Sequence, residues 1–420
     1  MSGVSKRGPY IQINTLILAI DPDFSNINHS RILLVFPHNF ADQGNGVKKR
    51  FFELVRYLNQ RGFVVDFLGL KNFKSQWPLD LENHGLPGIQ HCFLYDHSTG
   101  LKKAYFRNMI RGRFSRNRNL LGKVLTHLPD YVFPGLQKLF NKIIRERSYD
   151  YILISYVQWA NLLIGNELFS GKKVLTMEDC ISRNIAENHM GPLPMAKLLE
   201  EEAERVNLFD SVISLSWNEM AYFAANTTKP TFHYVPVFME PRYPGKDSTK
   251  EYDILFIGSD NPSNQKGIRW FFDFVYPLLK KETSILCVGK ITSIIPDLEN
   301  VKKIGFIADL QEVYQKAAVT INPLQDGTGM KVKVIESLAH GIPVVTTAIG
   351  LSGIKPEVRQ LFIIADEPHE FAFAIHRLIT DKKHYLDYCQ VMNKVFNDNF
   401  ATTVAARELD KIFRIPRNTV

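Results

Sequence analysis

Apolar residues along this chain fall into short continuous runs, separated by stretches with a helical repeat, and the alternation predicts an α/β protein. Arg31-Ile32-Leu33-Leu34-Val35-Phe36 reads as a buried strand. Val47, Phe51, Leu54, Val55 and Leu58 then recur at i, i+4, i+7, i+8 and i+11, which predicts a helix from Val47 to Arg61, closed by Gly62. Phe63 to Leu68 is the next strand, so the segment is a βαβ unit whose first strand leads into a loop holding Gly44 and Gly46. Tyr149 to Ser155, Lys173 to Thr176 and Asp210 to Ser216 continue the strands, and Met195 to Phe209 is an acidic helical stretch. Lys71 to Leu120 is less regular. A second series begins with the strand Tyr252 to Gly258 and a helix starting at Gln265. It continues with strands at Ser284 to Val288 and Phe362 to Ile364, and with helices at Pro368 to Lys382, His384 to Asn397 and Thr403 to Phe413. The polar, proline-containing stretch Pro241 to Lys250 separates the two series as a linker.

The second series is organised around residues 319–347. Val319-Thr320-Ile321 is a short strand, and Gly327 and Gly329 bracket Thr328 in a loop that permits positive φ and close approach to the backbone. The helix that follows carries an apolar stripe of Val332, Ile335 and Ala339, widened by Val334 and Leu338. Lys333, Glu336 and His340 fall on its polar stripe. Gly341 sits at the C′ position, Pro343 follows as a stop, and Val344-Val345-Thr346-Thr347 is a buried parallel strand. A glycine loop feeding a helix N-terminus suits an anion, and Lys331 and Lys333 add full charges. Glu336 could accept from sugar hydroxyls. Equally, the glycines could serve only the turn, with Lys333 and Glu336 a solvated i,i+3 pair.

At 420 residues the chain is long enough for two cores. Its 45% hydrophobic content is that of a globular protein. Cys92, Cys180, Cys287 and Cys389 show neither paired nor metal-ligand spacing, which points to free thiols in a reducing compartment. The run Thr15 to Ile20 is too short to span a membrane, and no signal-peptide cleavage pattern follows it. The expected localisation is therefore cytoplasmic, or peripheral at the inner membrane face. The net charge of +8 draws on a dense segment, Arg107 to Arg118, interleaved with Met109, Ile110 and Phe114. This segment reads as a solvated surface or an anionic-membrane contact; with no nucleic-acid motif accompanying it, no nucleic-acid partner is expected. Gly44-Asn45-Gly46 lacks the third glycine of a dinucleotide fingerprint, which counts against NAD. The carboxylates Glu178 and Asp179 follow the strand at Lys173. They could position or deprotonate a hydroxyl, or instead cap the next helix or pair with Arg183.

Gly-Thr-Gly-Met-Lys-Val-Lys-Val-Ile-Glu-Ser-Leu-Ala-His-Gly-Ile-Pro, residues 327–343, resembles the nucleotide-sugar site of the group 1 (GT4-like) glycosyltransferases. Glu336 matches the second glutamate of that family's Glu-x7-Glu segment, which holds the nucleotide ribose; Thr328 stands where the first would be. The Gly44/Gly46 loop is similar to the one that approaches the donor phosphates. Lys266 could match a diphosphate lysine, with Ser259 at the companion arginine position. Ile304 to Ile307, followed by Asp309, resembles the loop that holds the base through backbone groups near Ile307. Glu178 takes the place of a family histidine beside Asp179.

The resemblance implies a GT-B fold, two Rossmann-like domains facing a cleft. Residues 1–240 would form the acceptor side, residues 252–400 the donor side, and 401–420 a helix returning to the first domain. It implies sugar transfer from a nucleotide-diphosphate sugar to a glycan, glycolipid or other hydroxyl acceptor, with retention and without metal or other cofactor, in cell-surface polysaccharide or glycoconjugate synthesis. A nucleotide-sugar epimerase and a catalytically inactive scaffold of the same fold are the alternatives. The sequence identifies neither base, sugar, acceptor nor linkage.

Overall fold

The computed structural model describes residues 10–14, 30–41, 46–71, 77, 86–96, 128–166, 169–188, 194–243, 250–307, 310–327 and 329–413. Gly44, Thr328, Asp309, the run Thr15 to Ile20, the basic segment Arg107 to Arg118 and most of the linker lie outside these residues. By its contacts the chain divides into two compact units. The first is Met1–Ser214, Met220–His233 and Ile412–Val420; the second is Leu215–Glu219 and Tyr234–Lys411.

Strands of the first unit are β1 (Tyr10–Asn14), β2 (Arg31–Val35), β3 (Val64–Lys71), β4 (His91–Asp96), β5 (Tyr151–Ser155), β6 (Lys172–Met177), β7 (Ser211–Ser214) and β8 (Thr231–Tyr234). They form one sheet in the order β1-β4-β3-β2-β5-β6-β7-β8. From β4 to β7 neighbours pair in parallel, and β1 adds to the edge antiparallel to β4. The parallel part therefore has the Rossmann order 3-2-1-4-5-6. Ile32, Leu33, Leu34, Ile152, Leu153 and Ile154 are fully buried, as strands covered on both faces require.

The helices are α1 (Gly46–Gln60), α2 (Pro134–Glu146), α3 (Ile181–Asn188), α4 (Met195–Val206) and α5 (Trp217–Asn226). In α2, Leu136, Leu139, Phe140 and Ile143 make one buried stripe, and Pro134 opens the helix where its missing N–H is harmless. Buried Glu202 on α4 caps α3 by accepting from the N–H groups of Ile181 and Ser182, at 2.9 and 2.8 Å. At the other end of the chain, Phe413 packs edge-on against Tyr151, whose hydroxyl donates to the Phe413 carbonyl at 2.9 Å.

The second unit contains β9 (Tyr252–Ile257), β10 (Ile285–Val288), β11 (Val301–Ile304), β12 (Ala317–Asn322), β13 (Val344–Thr346) and β14 (Ile363–Ile364). Their order is β11-β10-β9-β12-β13-β14, and every neighbouring pair is parallel. This is the same Rossmann order, with the strand sequence reversing between β9 and β12, where such sheets open a crevice for ligands. The helices are α6 (Pro262–Trp270), α7 (Gln311–Gln315), α8 (Val332–Ala339), α9 (Pro356–Arg359), α10 (Pro368–Thr380), α11 (Lys382–Asn399) and α12 (Thr402–Ile412). Among the described residues no helix is long and apolar enough to cross a membrane. The cysteines are free, three of them buried.

Candidate functional site

The loop after β12 and the helix after it meet the N-terminus of α6 at the reversal point. Gly327 and Gly329 have φ of 111° and 71°, values a side chain rarely tolerates. A Cβ on Gly267 would stand 2.7 Å from the Pro323 carbonyl oxygen, so only glycine lets α6 press against this loop. Helix α8 ends in a Schellman arrangement. Gly341 at φ 67° donates to the Leu338 carbonyl at 2.9 Å, and Ile342 donates to Ser337 at 3.0 Å. The free N–H groups of α8 therefore open at the C-terminal edge of the sheet.

Cationic side chains converge there. Lys266 on α6 donates to Asp326 Oδ2 at 2.9 Å, in a pair about half exposed. The Lys266 hydrogen bond holds the Asp326 carboxyl below its usual range against the opposing effect of burial, with Ser263 and Lys331 helping. Lys331 Nζ reaches within 2.9 Å of where a Gly327 Cβ would stand. Lys333 donates to Asn264 Oδ1 at 2.8 Å, and its ammonium lies 5.1 Å from the centre of the Phe256 ring. Burial, then the like charge of Lys331, pushes the Lys333 pKa down to about 7, with Glu336 opposing. Part of the Lys333 side chain still meets solvent.

The polar stripe on α8 is only partly solvated. Lys333 and Glu336 are only half-exposed and His340 is buried. Tyr314 on α7, itself buried, donates to Glu336 Oε2 at 3.4 Å, and its ring stacks on His340 at 4.4 Å. Burial and the Glu336 charge raise the Tyr314 pKa well above 10, so the phenol stays a donor. His340 Nδ1 lies 2.9 Å from the Glu336 carbonyl oxygen. Spacing shows which residues share a face but not what that face packs against, so the sequence leaves a ligand-facing and a solvated stripe equally open. Ile307 packs on the small cluster of Leu255, Val288, Tyr314 and Ile342. The structure thus gathers Lys266, Gly327, Gly329, Lys331, Lys333 and Glu336 around one loop and puts Ile307 on the wall that also holds Tyr314.

Glu178, Asp179 and Gly46 belong to the first unit. Glu178 does not pair with Arg183. Its two carboxylate oxygens accept from Arg50 Nη1 on α1, both at 2.6 Å, and both residues are buried. Tyr156, at the end of β5, has φ 65° and is the one non-glycine with positive φ among the described residues. Burial and the charges of Glu178 and Asp179 raise its pKa. Gly46 begins α1. Asn264, Tyr314, Arg50 and Tyr156 escaped sequence reasoning. Only Asn264 left a local signal, in the Asn261-Pro262 cap that starts α6.

A hollow of about 450 Å³ opens elsewhere, lined by Asp253, Leu279, Thr283 and His376 among others. It lies at the N-terminal end of β9, opposite the glycine loops, and so away from the crevice where such sheets bind ligands. Among the described residues no cluster of three or more His, Cys, Asp or Glu could hold a metal ion.

Residues 251–381 match the family described as "Glycosyl transferases group 1". A curated relative, an uncharacterized 44.6 kDa protein in the cps region of Klebsiella pneumoniae, is 27% identical over 186 residues, which is 40% of this chain and 46% of that protein. The aligned part is thus less than half of that relative's length. Among solved structures, the sucrose-phosphate synthase from Thermosynechococcus elongatus is 17% identical with a TM-score of 0.65, covering 92% of this chain and 98% of that one. HepE from Anabaena, in complex with UDP and glucose, is 13% identical with a TM-score of 0.59, covering 92% and 100%. The E. coli trehalose-6-phosphate protein bound with UDP-2-fluoro glucose is 14% identical with a TM-score of 0.59, again covering 92% and 100%. The fold is the GT-B fold of these proteins.

Proposed function

We infer, from a group 1 glycosyltransferase domain at residues 251–381 carried in a GT-B fold, that this chain transfers a sugar from a nucleotide-diphosphate sugar to a hydroxyl acceptor. The observation that carries the reading is the convergence of Lys266, Lys331 and Lys333 with the α8 N-terminus at the point where the strand order reverses. A departing nucleoside diphosphate gains negative charge as the glycosidic bond breaks. Fixed cations and backbone N–H groups stabilise that charge without reorganising. Glu336, to which Tyr314 donates, would accept from ribose hydroxyls. Asp179, rather than the buried Glu178 that Arg50 holds, would face the acceptor hydroxyl. Transfer with retention, independent of a metal ion, completes the reading. The cps-region relative supports a role in cell-surface polysaccharide or glycoconjugate synthesis.

The deciding experiment is a thermal-shift screen of UDP-, GDP-, ADP- and CMP-sugars, followed by assay of nucleotide release with and without EDTA. Stabilisation by one donor and its turnover in EDTA are expected. No shift with any donor, together with no release, refutes the transferase reading; activity lost in EDTA and restored by Mg²⁺ refutes metal independence alone.

A further inference from the structure

Helix α6 does not end as an ordinary α-helix. Beyond Trp270 it widens into a π-helical turn, Phe271–Val275, in which the Tyr276 N–H donates to the Phe271 carbonyl five residues back. Such turns are rare and are frequent at functional sites. Buried Ile268 and Phe271 define the inner face of the helix, and in an unbroken α-helix Phe274, three residues after Phe271, would share it. The widened turn instead leaves Phe274 57% exposed, while Val275 is fully buried. A groove of about 560 Å³ opens there, within the roughly 300–1,000 Å³ of ligand clefts. Trp270 and Phe274 line it with aromatic surface, and Arg269, Asp273 and Gln325 with planar polar groups. Packing edge-on against Phe371, with ring centres 5.5 Å apart, fixes the Trp270 ring. The side chains of Arg269 and Asp273 have no ion pair or hydrogen bond with any described residue. At Lys266 the groove is bounded by the 2.9 Å pair with Asp326. Its charges therefore balance, Lys266 and Arg269 against Asp273 and Asp326.

We propose that this groove binds a chain of neutral sugar units, at a site distinct from the one formed by the α8 N-terminus. A sugar ring has an apolar face of C–H groups, which an aromatic ring covers, and a rim of hydroxyls that donate and accept at once. A guanidinium and a carboxylate without protein partners, beside the Gln325 amide, supply the complementary donors and acceptors. Balanced charge speaks against nucleic acid, an acidic peptide or an anionic membrane, each of which calls for a cationic surface. The groove shares Lys266 and Gln325 with the loop after β12, so a glycan held in it is kept at high local concentration near the transfer chemistry. That last role rests on the glycosyltransferase reading; the binding itself does not.

The test measures binding of the full chain to immobilised dextran, mannan, laminarin and alginate, with UDP and GDP affinities taken by titration on the same proteins. Wild type is expected to bind at least one of the three neutral polymers. Phe274→Ala is expected to raise that dissociation constant about fivefold, the scale of one aromatic contact, with Phe274→Trp restoring it. Arg269→Ala is expected to weaken it comparably, and neither variant to change UDP or GDP binding. No binding to any neutral polymer overturns the proposal, as does binding to anionic alginate alone, which marks a charge contact. Polymer binding unchanged in both Phe274→Ala and Arg269→Ala overturns it too, by placing the sugar elsewhere. So does an equal loss of nucleotide affinity, by making the groove part of the nucleotide site. Polymer binding without any nucleotide binding removes the transferase reading and leaves the groove; nucleotide binding without polymer binding does the reverse. Both side chains are exposed, so an unchanged melting temperature will verify that each variant is folded.

Discussion

Proton uptake on nucleotide binding follows from the surroundings of Lys333. In the ligand-free protein its ammonium sits between Asn264 and the Phe256 ring, with Lys331 repelling and Glu336 attracting it, and its pKa is about 7 against an ordinary 10.5. A diphosphate bound beside it supplies the missing counter-charge and returns the pKa toward its ordinary value. At pH 8 a group of pKa 7 is about one-tenth protonated, so binding should take up about nine-tenths of a proton. The uptake should fall to about one-tenth of a proton near pH 6, where Lys333 is already charged. Titrations of a nucleoside diphosphate in two buffers of different ionisation enthalpy measure it directly, and Lys333→Met is the control that should abolish it.

The same shift has a sign for stability. Between pH 7 and 10.5 the unfolded chain binds this proton and the folded one does not, so ligand-free stability should rise with pH across that window. The full shift would correspond to about 5 kcal/mol; solvent contact of Lys333 reduces the expectation to about 2 kcal/mol. Zero uptake at pH 8 in wild type would refute the reasoning, since Lys333 would then not be charged by the ligand.

Other outcomes can be checked alongside. Glu336→Ala should weaken nucleotide binding by about 1–3 kcal/mol, read by titration, the scale of a charge-assisted hydrogen bond; unchanged affinity would leave Glu336 outside the site. Arg50→Met should cost about 3–5 kcal/mol in denaturant unfolding, because it strands buried Glu178, and Arg50→Met with Glu178→Met should recover most of that. Gly353→Ala should lower the melting temperature, since φ is 88° and the new Cβ would stand 3.0 Å from the Met330 Cα. Replacing Arg111, Arg113 and Arg116 with Ser should reduce sedimentation with phosphatidylglycerol vesicles at low salt, each arginine contributing about 1 kcal/mol near an anionic surface. Equal partitioning would make the segment ordinary surface.

Legibility followed how local each signal was. The strands at Arg31, Tyr252 and Val319 were plain because a strand buried on both faces is a continuous apolar run. The stop at Gly341 was plain because a C′ glycine acts within its own turn. Helix α2 was overlooked although Leu136, Leu139, Phe140 and Ile143 carried the right spacing, and β4 was lost within a stretch read as irregular. The site was half legible. Its loop and charged residues lie close together in sequence, but the partners that fix their behaviour do not. Asn264 is 69 residues from Lys333, Tyr314 is 22 from Glu336, and Arg50 is 128 from Glu178. Such pairs arise from how helices pack on a sheet, which periodicity along one element does not encode.

The close approach at Gly267 has a consequence for motion. Pro323 and Leu324 are held from one side by the bare backbone of α6 and from the other by the Thr347 hydroxyl, which donates to the Leu324 carbonyl. The chain is therefore clamped where it leaves β12, and again where α8 begins its hydrogen-bonded turns. Between these two holds, Gly327 and Gly329, both at positive φ, are the natural pivots of a short strap. A strap so short has few conformations to surrender, so capture should cost little entropy and proceed at rates set by encounter rather than by slow closure.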